Sequence, residues 1–252
     1  MDARFHVAVE NRIATVTYHN APVNATDLSA YGVFVEIFHE LDLRQDVSVV
    51  ILRTEGKGFC AGNNIKEIKT HTPESHADYQ QHLIDAFEAI SQCRYPVICA
   101  VQGYALGAGF VFPAASDLIV ASDDAYFALP EISLAVISGV GYALKMLPEC
   151  VARYVCMTGE HISAQEMKEC GAINYVVPRE QLMDKVMEIA TRLSKMPPHA
   201  LVYMKEVLNQ HTNHENRRKF KLEDAYTARL FGMPEKLEAA SAFLEKREPH
   251  YD

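Results

Sequence analysis

The chain has 252 residues and a formal net charge of −9, with 49% hydrophobic and 23% charged residues. These proportions are ordinary for a globular protein built as one large domain or as a core with an appendage. The acidic balance argues against broad attraction to nucleic acid or to a membrane surface, so an anionic ligand would need a local cationic patch. We see no secretory signal, membrane-spanning run or internal repeat, and we therefore expect a cytoplasmic protein in a reducing compartment.

The first two thirds of the chain alternate between strand and helix patterns. Apolar residues at helical spacing predict an amphipathic helix over 27–43. The almost wholly apolar run at 47–52 predicts a strand that is covered on both faces. Further strands are predicted at 4–18 (two around a turn), 97–101, 117–121, 125–128 and 174–177, and further helices at 79–90 and over 140–170 with a break at 159–163.

The last part of the chain has only helical patterns. They run roughly over 181–195, 198–210, 215–230 and 234–247. Strands alternating with helices, followed by helices alone, predict an α/β core over residues 1–190 and a helical C-terminal region over 191–252. Exposed apolar side chains are expected there for packing on the core or on another subunit, and they are Phe220, Leu230, Phe231 and Phe243.

Two glycine-rich segments follow predicted buried strands, at 56–67 (GKGFCAGNNIKE) and at 103–109 (GYALGAG). Ligands of α/β folds commonly bind at the carboxyl ends of strands, and glycines let a ligand approach the backbone closely. Two convergent backbone amides, one of them at a helix start, suit a developing oxyanion. Neither segment fits a phosphate-binding loop or the dinucleotide fingerprint.

Four motifs together resemble the crotonase (enoyl-CoA hydratase/isomerase) superfamily over essentially the full chain. They are FCAGNNIKE, GYALGAG, LPEI and the terminal AFLEKR, in this order and at these separations. The resemblance implies a spiral of β-β-α units with a C-terminal helical region that builds a homotrimer, often paired into a homohexamer. It implies an acyl-CoA thioester substrate bound by the core, no separate cofactor, and neither nucleic acid nor membrane as partner.

The resemblance also implies site residues. The backbone N–H groups of Asn63 and Ala108 would hold the thioester oxygen, and residues Asn63, Asn64, Ile65 and Lys66 would line the coenzyme A path. Candidates for the coenzyme A phosphates are Lys66, Lys57, and Lys246 and Arg247 of a neighbouring subunit. For Lys57 alone, a solvated surface charge is the preferred interpretation.

Glu131 in the LPEI motif matches one of the two glutamates that share a water in hydratases of this superfamily. The position of the other glutamate is Val111, which cannot transfer a proton. Gly139 stands where some relatives that isomerise dienes or cleave carbon–halogen bonds have an aspartate, which argues against those activities.

One glutamate suffices to move a double bond, because a single carboxylate can take a proton at one carbon and return it at another. The first hypothesis is therefore isomerisation of 3-enoyl-CoA to trans-2-enoyl-CoA by Glu131. An apolar pocket would raise the pKa of Glu131, with Val111, Phe112, Leu129 and Ile137 as candidate lining residues. The alternatives are a hydratase or hydrolase that uses Glu131 with water, and a non-catalytic CoA-binding scaffold.

Other residue types give weaker indications of a metal site or a catalytic group. The eleven histidines include His71, His76 and His82 in a polar stretch, but no metal-ligand spacing exists, so no metal site is predicted. The six cysteines show no paired metal spacing, and Cys60 reads as a small buried side chain. Glu149 remains a candidate for a second acid, and Asp117 reads as structural.

Overall fold

The computed structural model describes residues 2–68, 73–212, 216–231 and 233–250. Its strands are β1 (Phe5–Glu10), β2 (Ile13–Tyr18), β3 (Val49–Thr54), β4 (Val97–Val101), β5 (Tyr104–Leu106), β6 (Leu118–Ser122), β7 (Tyr126–Ala128), β8 (Ile162–Ser163) and β9 (Tyr175–Val177). Its helices are α1 (Leu28–Leu43), α2 (Ile65–Ile68), α3 (Pro73–Gln92), α4 (Ala108–Ala115), α5 (Val140–Met146), α6 (Glu149–Thr158), α7 (Ala164–Glu169), α8 (Leu182–Ser194), α9 (Pro198–Thr212), α10 (Asn216–Phe231) and α11 (Pro234–Glu245). The predicted α/β class is confirmed.

Six strands form the main sheet in the order β1-β2-β3-β4-β6-β9, in which only the β1–β2 pair is antiparallel. Its central strands are covered on both faces, as the uninterrupted apolar run of β3 predicted. Val50 and Leu52 face the larger core with α1, α3 and α4, whereas Val49 and Ile51 pack against α8.

A second, three-stranded sheet has the order β5-β7-β8 and lies at the carboxyl end of the main sheet. Its strand β5 falls inside GYALGAG, and the helix start that this segment indicates follows directly, at Ala108, where α4 begins. Glycine at 103 is required by φ +58° and by the close approach of the Lys57 carbonyl oxygen, 2.3 Å from where a Cβ would stand. The chain therefore turns sharply after β4 and forms the short strand β5, which the sequence pattern did not predict, before α4 begins.

The C-terminal helices leave many large apolar side chains exposed. Phe243, predicted to be exposed, is 53% exposed, whereas Leu230 is half-buried, and the side chains of Phe220 and Phe231 lie outside the described residues. Further exposed members of this set are Tyr203, Met204, Val207, Leu208, Leu222, Tyr226, Leu237 and Leu244. Within the described ranges, no helix combines the length and the apolar character needed to span a bilayer.

Candidate active site

The two glycine-rich loops lie side by side. Cys60 forms a parallel bridge with Ala105, and the amide of Leu106 donates to the Cys60 carbonyl oxygen at 2.9 Å. A Cβ at Gly109 would stand 2.3 Å from that same oxygen, so a side chain there would push the loops apart. Cys60 is buried, which raises the pKa of its thiol to about 12 and fits a packing role.

The loops meet at Gly62 and Ala108. A Cβ at Gly62 would stand 3.6 Å from the Ala108 nitrogen, and Asn63 follows directly. Ala108 is the first residue of α4, preceded by Gly107 at φ +56°. The N–H groups of Asn63 and Ala108 donate to no residue among those described. Both amides are therefore available to a ligand, and the one at Ala108 lies at the positive end of the α4 dipole, which favours a negatively charged ligand oxygen.

The side chain of Asn63 is turned toward α1. Its Oδ1 accepts hydrogen bonds from the Tyr31 hydroxyl and, at 3.2 Å, from Thr26 Oγ1. The backbone is fixed on both sides, since the Thr26 amide donates to the Gly62 carbonyl at 2.9 Å and the Asn64 amide donates to the Thr26 carbonyl at 2.7 Å. The side chain therefore anchors the loop, and the main chain of Asn63 is what remains for a ligand.

Glu131 lies in a short 3₁₀ turn, Pro130–Leu134, that follows β7. Its carboxylate packs on Gly107, where a Cβ would stand 2.5 Å from Oε1. Oε2 is inaccessible to solvent and accepts no hydrogen bond from the described part of the chain. Burial raises the pKa of Glu131 to about 8, a backbone hydrogen bond opposes this, and the negative charge of Glu223 adds to it.

A mostly apolar cavity of about 520 Å³ opens beside Glu131. Leu129 and Ile137 line it as predicted, and its other lining residues are Ile132, Val136, Ser138, Val140, Leu144, Glu149, Ala152, Arg153, Cys156 and Met157.

Two predicted lining residues, Val111 and Phe112, do not line this cavity because every residue of α4 is buried. The Phe112 ring packs in the core, 4.8 Å from the Phe34 ring and 5.0 Å from the Phe87 ring. Val111 lies behind the cavity wall, and a Cβ at Gly139 would stand 3.6 Å from Val111 Cγ2 and 2.7 Å from Leu129 Cδ2. The position that matches a second glutamate is therefore packed with hydrocarbon.

Two other carboxylates lie near Glu131. Glu149 lines the cavity, but it is exposed and forms an ion pair with Arg153 at 2.8 Å. Glu223 of α10 is buried and accepts a hydrogen bond from the Gly141 amide at 2.7 Å. Sequence reasoning missed Glu223, because nothing in the polar pattern of α10 distinguishes it from an acid on a solvated helix face.

The predicted coenzyme A residues lie on the surface near the first loop and at the chain end. Asn64 Oδ1 accepts from the Lys66 amide at 3.2 Å, so Asn64 stabilises the start of α2, which Ile65 begins. The side chains of Lys66, Lys57 and Lys246 are exposed. Arg247 forms ion pairs with two acids of its own chain, Glu238 and Glu245.

Two tyrosines of the site region pack against other aromatic rings. Tyr142 is buried against Phe87, and Tyr104 packs near Tyr126. The exposed His82 hydrogen-bonds the Asp78 carbonyl, whereas His71 and the His76 side chain lie outside the described residues. No group of three potential metal ligands exists in the portion of the chain that the structure describes.

Asp117 joins β6 to the neighbouring strand and to α9. Its Oδ2 accepts from the Val97 amide and from Lys205 Nζ, each at 2.7 Å.

Comparison with known proteins places this arrangement in a family. The family model for enoyl-CoA hydratase/isomerase matches residues 8–252. The chain belongs to this family. A hydrolase of Rhodococcus jostii, named for (7aS)-7a-methyl-1,5-dioxo-2,3,5,6,7,7a-hexahydro-1H-indene-carboxyl-CoA, is 32% identical over 86% of this chain and 85% of its own. Carnitinyl-CoA dehydratase of Proteus mirabilis is 29% identical over 100% of this chain and 99% of its own.

Solved structures of the enoyl-CoA hydratase/isomerase family share the fold. The enoyl-CoA hydratase/isomerase of Pseudoalteromonas atlantica superposes with a TM-score of 0.88 at 23% identity, covering 99% of this chain and 100% of that one. The predicted crotonase-type fold is thereby confirmed.

Proposed function

We propose that this protein binds an acyl-CoA thioester and converts a 3-enoyl-CoA to the trans-2-enoyl-CoA, with Glu131 carrying the proton. The observation that carries the proposal is the surroundings of Glu131. Its buried carboxylate packs against Gly107, between the two loops. The position that matches a second glutamate is the hydrocarbon side chain of Val111, which packs with Leu129 near Gly139. One proton carrier beside an oxyanion site is the minimum equipment for a double-bond shift.

The first half of the reaction forms an enolate. The thioester oxygen would accept hydrogen bonds from the N–H groups of Asn63 and Ala108, which lowers the energy of the enolate. Ionised Glu131 would take a proton from C2, and the electron pair of that C–H bond would become the C1–C2 enolate bond.

The second half returns the proton. As the enolate collapses, the double bond between C3 and C4 moves to C2–C3, and the protonated Glu131 delivers its proton to C4. The product has the same atoms as the substrate and Glu131 regains its charge, so neither water nor a cofactor takes part.

The raised pKa of Glu131 suits both halves of the reaction, the removal of a proton and its return. At a value of about 8, roughly a tenth of the carboxyl groups are ionised at neutral pH, which leaves a base population while making the protonated form a stable carrier. Catalytic acids and bases work best when their pKa lies near the operating pH.

The rest of the ligand would follow the surface of the first loop. We propose that Asn64, Ile65 and Lys66 flank the coenzyme A moiety. Lys246 of a neighbouring subunit would contribute a cation, in a homotrimer or homohexamer built on the exposed apolar faces of α9–α11.

The test is incubation with a series of 3-enoyl-CoA substrates, followed by the absorbance of the conjugated thioester. We expect turnover in the wild type and a loss of at least about 100-fold in Glu131→Gln. Glu149→Gln removes a carboxylate from the same cavity and serves as the control, which should retain activity. Absence of turnover on every 3-enoyl-CoA, or full activity of Glu131→Gln, would contradict the proposal.

A second candidate is chemistry with water, namely hydration, dehydration or hydrolysis of an acyl-CoA. The names of relatives at 29–32% identity favour it. Glu131 would then activate a water that sits in the cavity. The absence of a second carboxylate at Val111 predicts that hydration of a 2-enoyl-CoA is slower than isomerisation, by about 100-fold or more. Hydration at a rate equal to or above isomerisation would select this second function.

A further inference from the structure

Helix α10, in the C-terminal region, is hydrogen-bonded to the wall of the cavity that Glu131 lines. Thr227 Oγ1 donates to the Ile137 carbonyl at 2.9 Å and accepts from the Ile137 amide at 2.9 Å. One turn earlier on the same face, Glu223 Oε1 accepts from the Gly141 amide at 2.7 Å. Both side chains are buried, so α10 fixes the 137–141 segment at its two ends.

The 137–141 segment separates Glu223 from the cavity. Ile137, Ser138 and Val140 line the cavity together with Glu131, whereas Glu223 does not. The charge of Glu223 contributes to the raised pKa of Glu131, and after burial both acids raise the pKa of the Cys156 thiol, to about 11.

Helices α6 and α11 pack against the 3₁₀ turn of Glu131, and both carry charged or titratable groups. Helix α6 contributes Cys156 and the exposed ion pair of Glu149 with Arg153. Helix α11 carries the buried Lys236, whose own pKa burial lowers to about 8. Glu223, on the neighbouring helix α10, is the one acid that is buried as a whole residue in the described part of the chain.

We propose that Glu223 is a positioning residue through which α10 controls the proton chemistry of Glu131. Its hydrogen bond to Gly141 holds the cavity wall in place, and its negative charge favours the protonated carboxyl of Glu131. This inference rests on the proposed role of Glu131 as proton carrier. It makes α10 part of the catalytic unit, although neither Glu223 nor Thr227 lines the cavity.

The decisive variant is Glu223→Gln, which keeps an oxygen that can accept from Gly141 and removes the charge. Thr227→Val is the matched control, because it removes both hydrogen bonds to Ile137 without changing any charge. The readout is the ionisation of Glu131 in the full chain without substrate. It is followed by carbon-13 NMR of labelled glutamate carboxyls and assigned with Glu131→Gln.

We expect Glu223→Gln to lower the pKa of Glu131 by about one unit and Thr227→Val to leave it unchanged. The pH at which kcat/KM reaches half its maximum on the acid side should fall by the same amount in Glu223→Gln. Glu223→Asp withdraws the charge by one methylene, so it should give a smaller shift in the same direction. It also provides the test if Glu223→Gln does not fold.

An unchanged Glu131 titration in the folded Glu223 variants would overturn the inference. An equal shift in Thr227→Val would also overturn it, because the effect would then arise from loosening of the wall. The titration needs no turnover. If the protein is inactive on every 3-enoyl-CoA, the proposed function is contradicted, but the effect of Glu223 on Glu131 can still be measured.

Discussion

The carboxylate of Glu131 rests on the Cα of Gly107, so closely that a methyl group at Gly107 would stand 2.5 Å from Glu131 Oε1. Gly107 also precedes the first amide of α4 at φ +56°, a conformation that L side chains rarely adopt. One glycine therefore satisfies two demands, because it gives space to the acid and directly precedes Ala108, the first residue of α4, whose amide donates to no described residue.

Gly107→Ala should displace Glu131 and lower kcat by about 100-fold, because a shift of about 1 Å in a catalytic group has this effect. The strained backbone should lower the free energy of unfolding by about 1–3 kcal/mol. Gly171→Ala is the control, since Gly171 has φ +79° with nothing within 4 Å of an added Cβ. Activity assays and denaturant unfolding of both variants check this, and equal kcat in the two variants would contradict it.

Glu131→Gln should stabilise the protein at alkaline pH. The pKa of Glu131 is raised from 4.5 to about 8, so the folded state binds its proton more tightly than the unfolded chain does. The stability that this proton contributes is complete below about pH 4.5 and is lost progressively as the pH rises to about 8.

Over this pH range, the free energy of unfolding of the wild type should therefore fall below that of Glu131→Gln, by about 3–5 kcal/mol as an upper limit. Denaturant unfolding at a series of pH values measures the difference, with the exposed Glu149→Gln as control. Parallel stability profiles for the wild type and Glu131→Gln would show that Glu131 is ionised in the folded protein at neutral pH.

Tyr31→Phe should lower kcat by about 10-fold, because the loop that carries the Asn63 amide loses an anchoring hydrogen bond at Asn63 Oδ1. The control is Tyr95→Phe, which removes another buried tyrosine hydroxyl, bonded to the Arg44 carbonyl. Each variant should lose about 1–2 kcal/mol of stability. Steady-state kinetics should separate them, and an equal kcat in the two would mean that the anchor is not needed.

Lys205→Met should lower the free energy of unfolding by about 3–5 kcal/mol, because it leaves Asp117 without its buried partner. Lys205 is 5% exposed and also donates to the Tyr95 carbonyl at 3.0 Å. Arg44→Met breaks the exposed ion pair with Asp46 and should lower the free energy of unfolding far less, because solvent screens that pair. Denaturant unfolding measures both variants. Equal losses of unfolding free energy would show that burial does not strengthen the ion pair of Lys205 with Asp117.

Local pattern was sufficient for most elements of this fold. The run at 47–52 identified a doubly covered strand, and helical spacing over 27–43 identified α1 within one residue. Strand β5 was missed because its pairing with β7 and the bridge at Cys60 depend on residues distant in the chain.

By itself the sequence determined the family, the two glycine loops and Glu131 as the acid to examine, because spaced motifs and glycine requirements are local properties of the chain. Only the tertiary structure decided what surrounds that acid. In the folded chain, Phe112 packs in the core and the Asn63 side chain bonds to Tyr31. Glu223, which is 92 residues from Glu131 in the chain, bonds to the segment that forms the cavity wall. The physical reason is that burial and charge proximity, which set a carboxyl's proton affinity, depend on packing between distant segments and leave no local pattern.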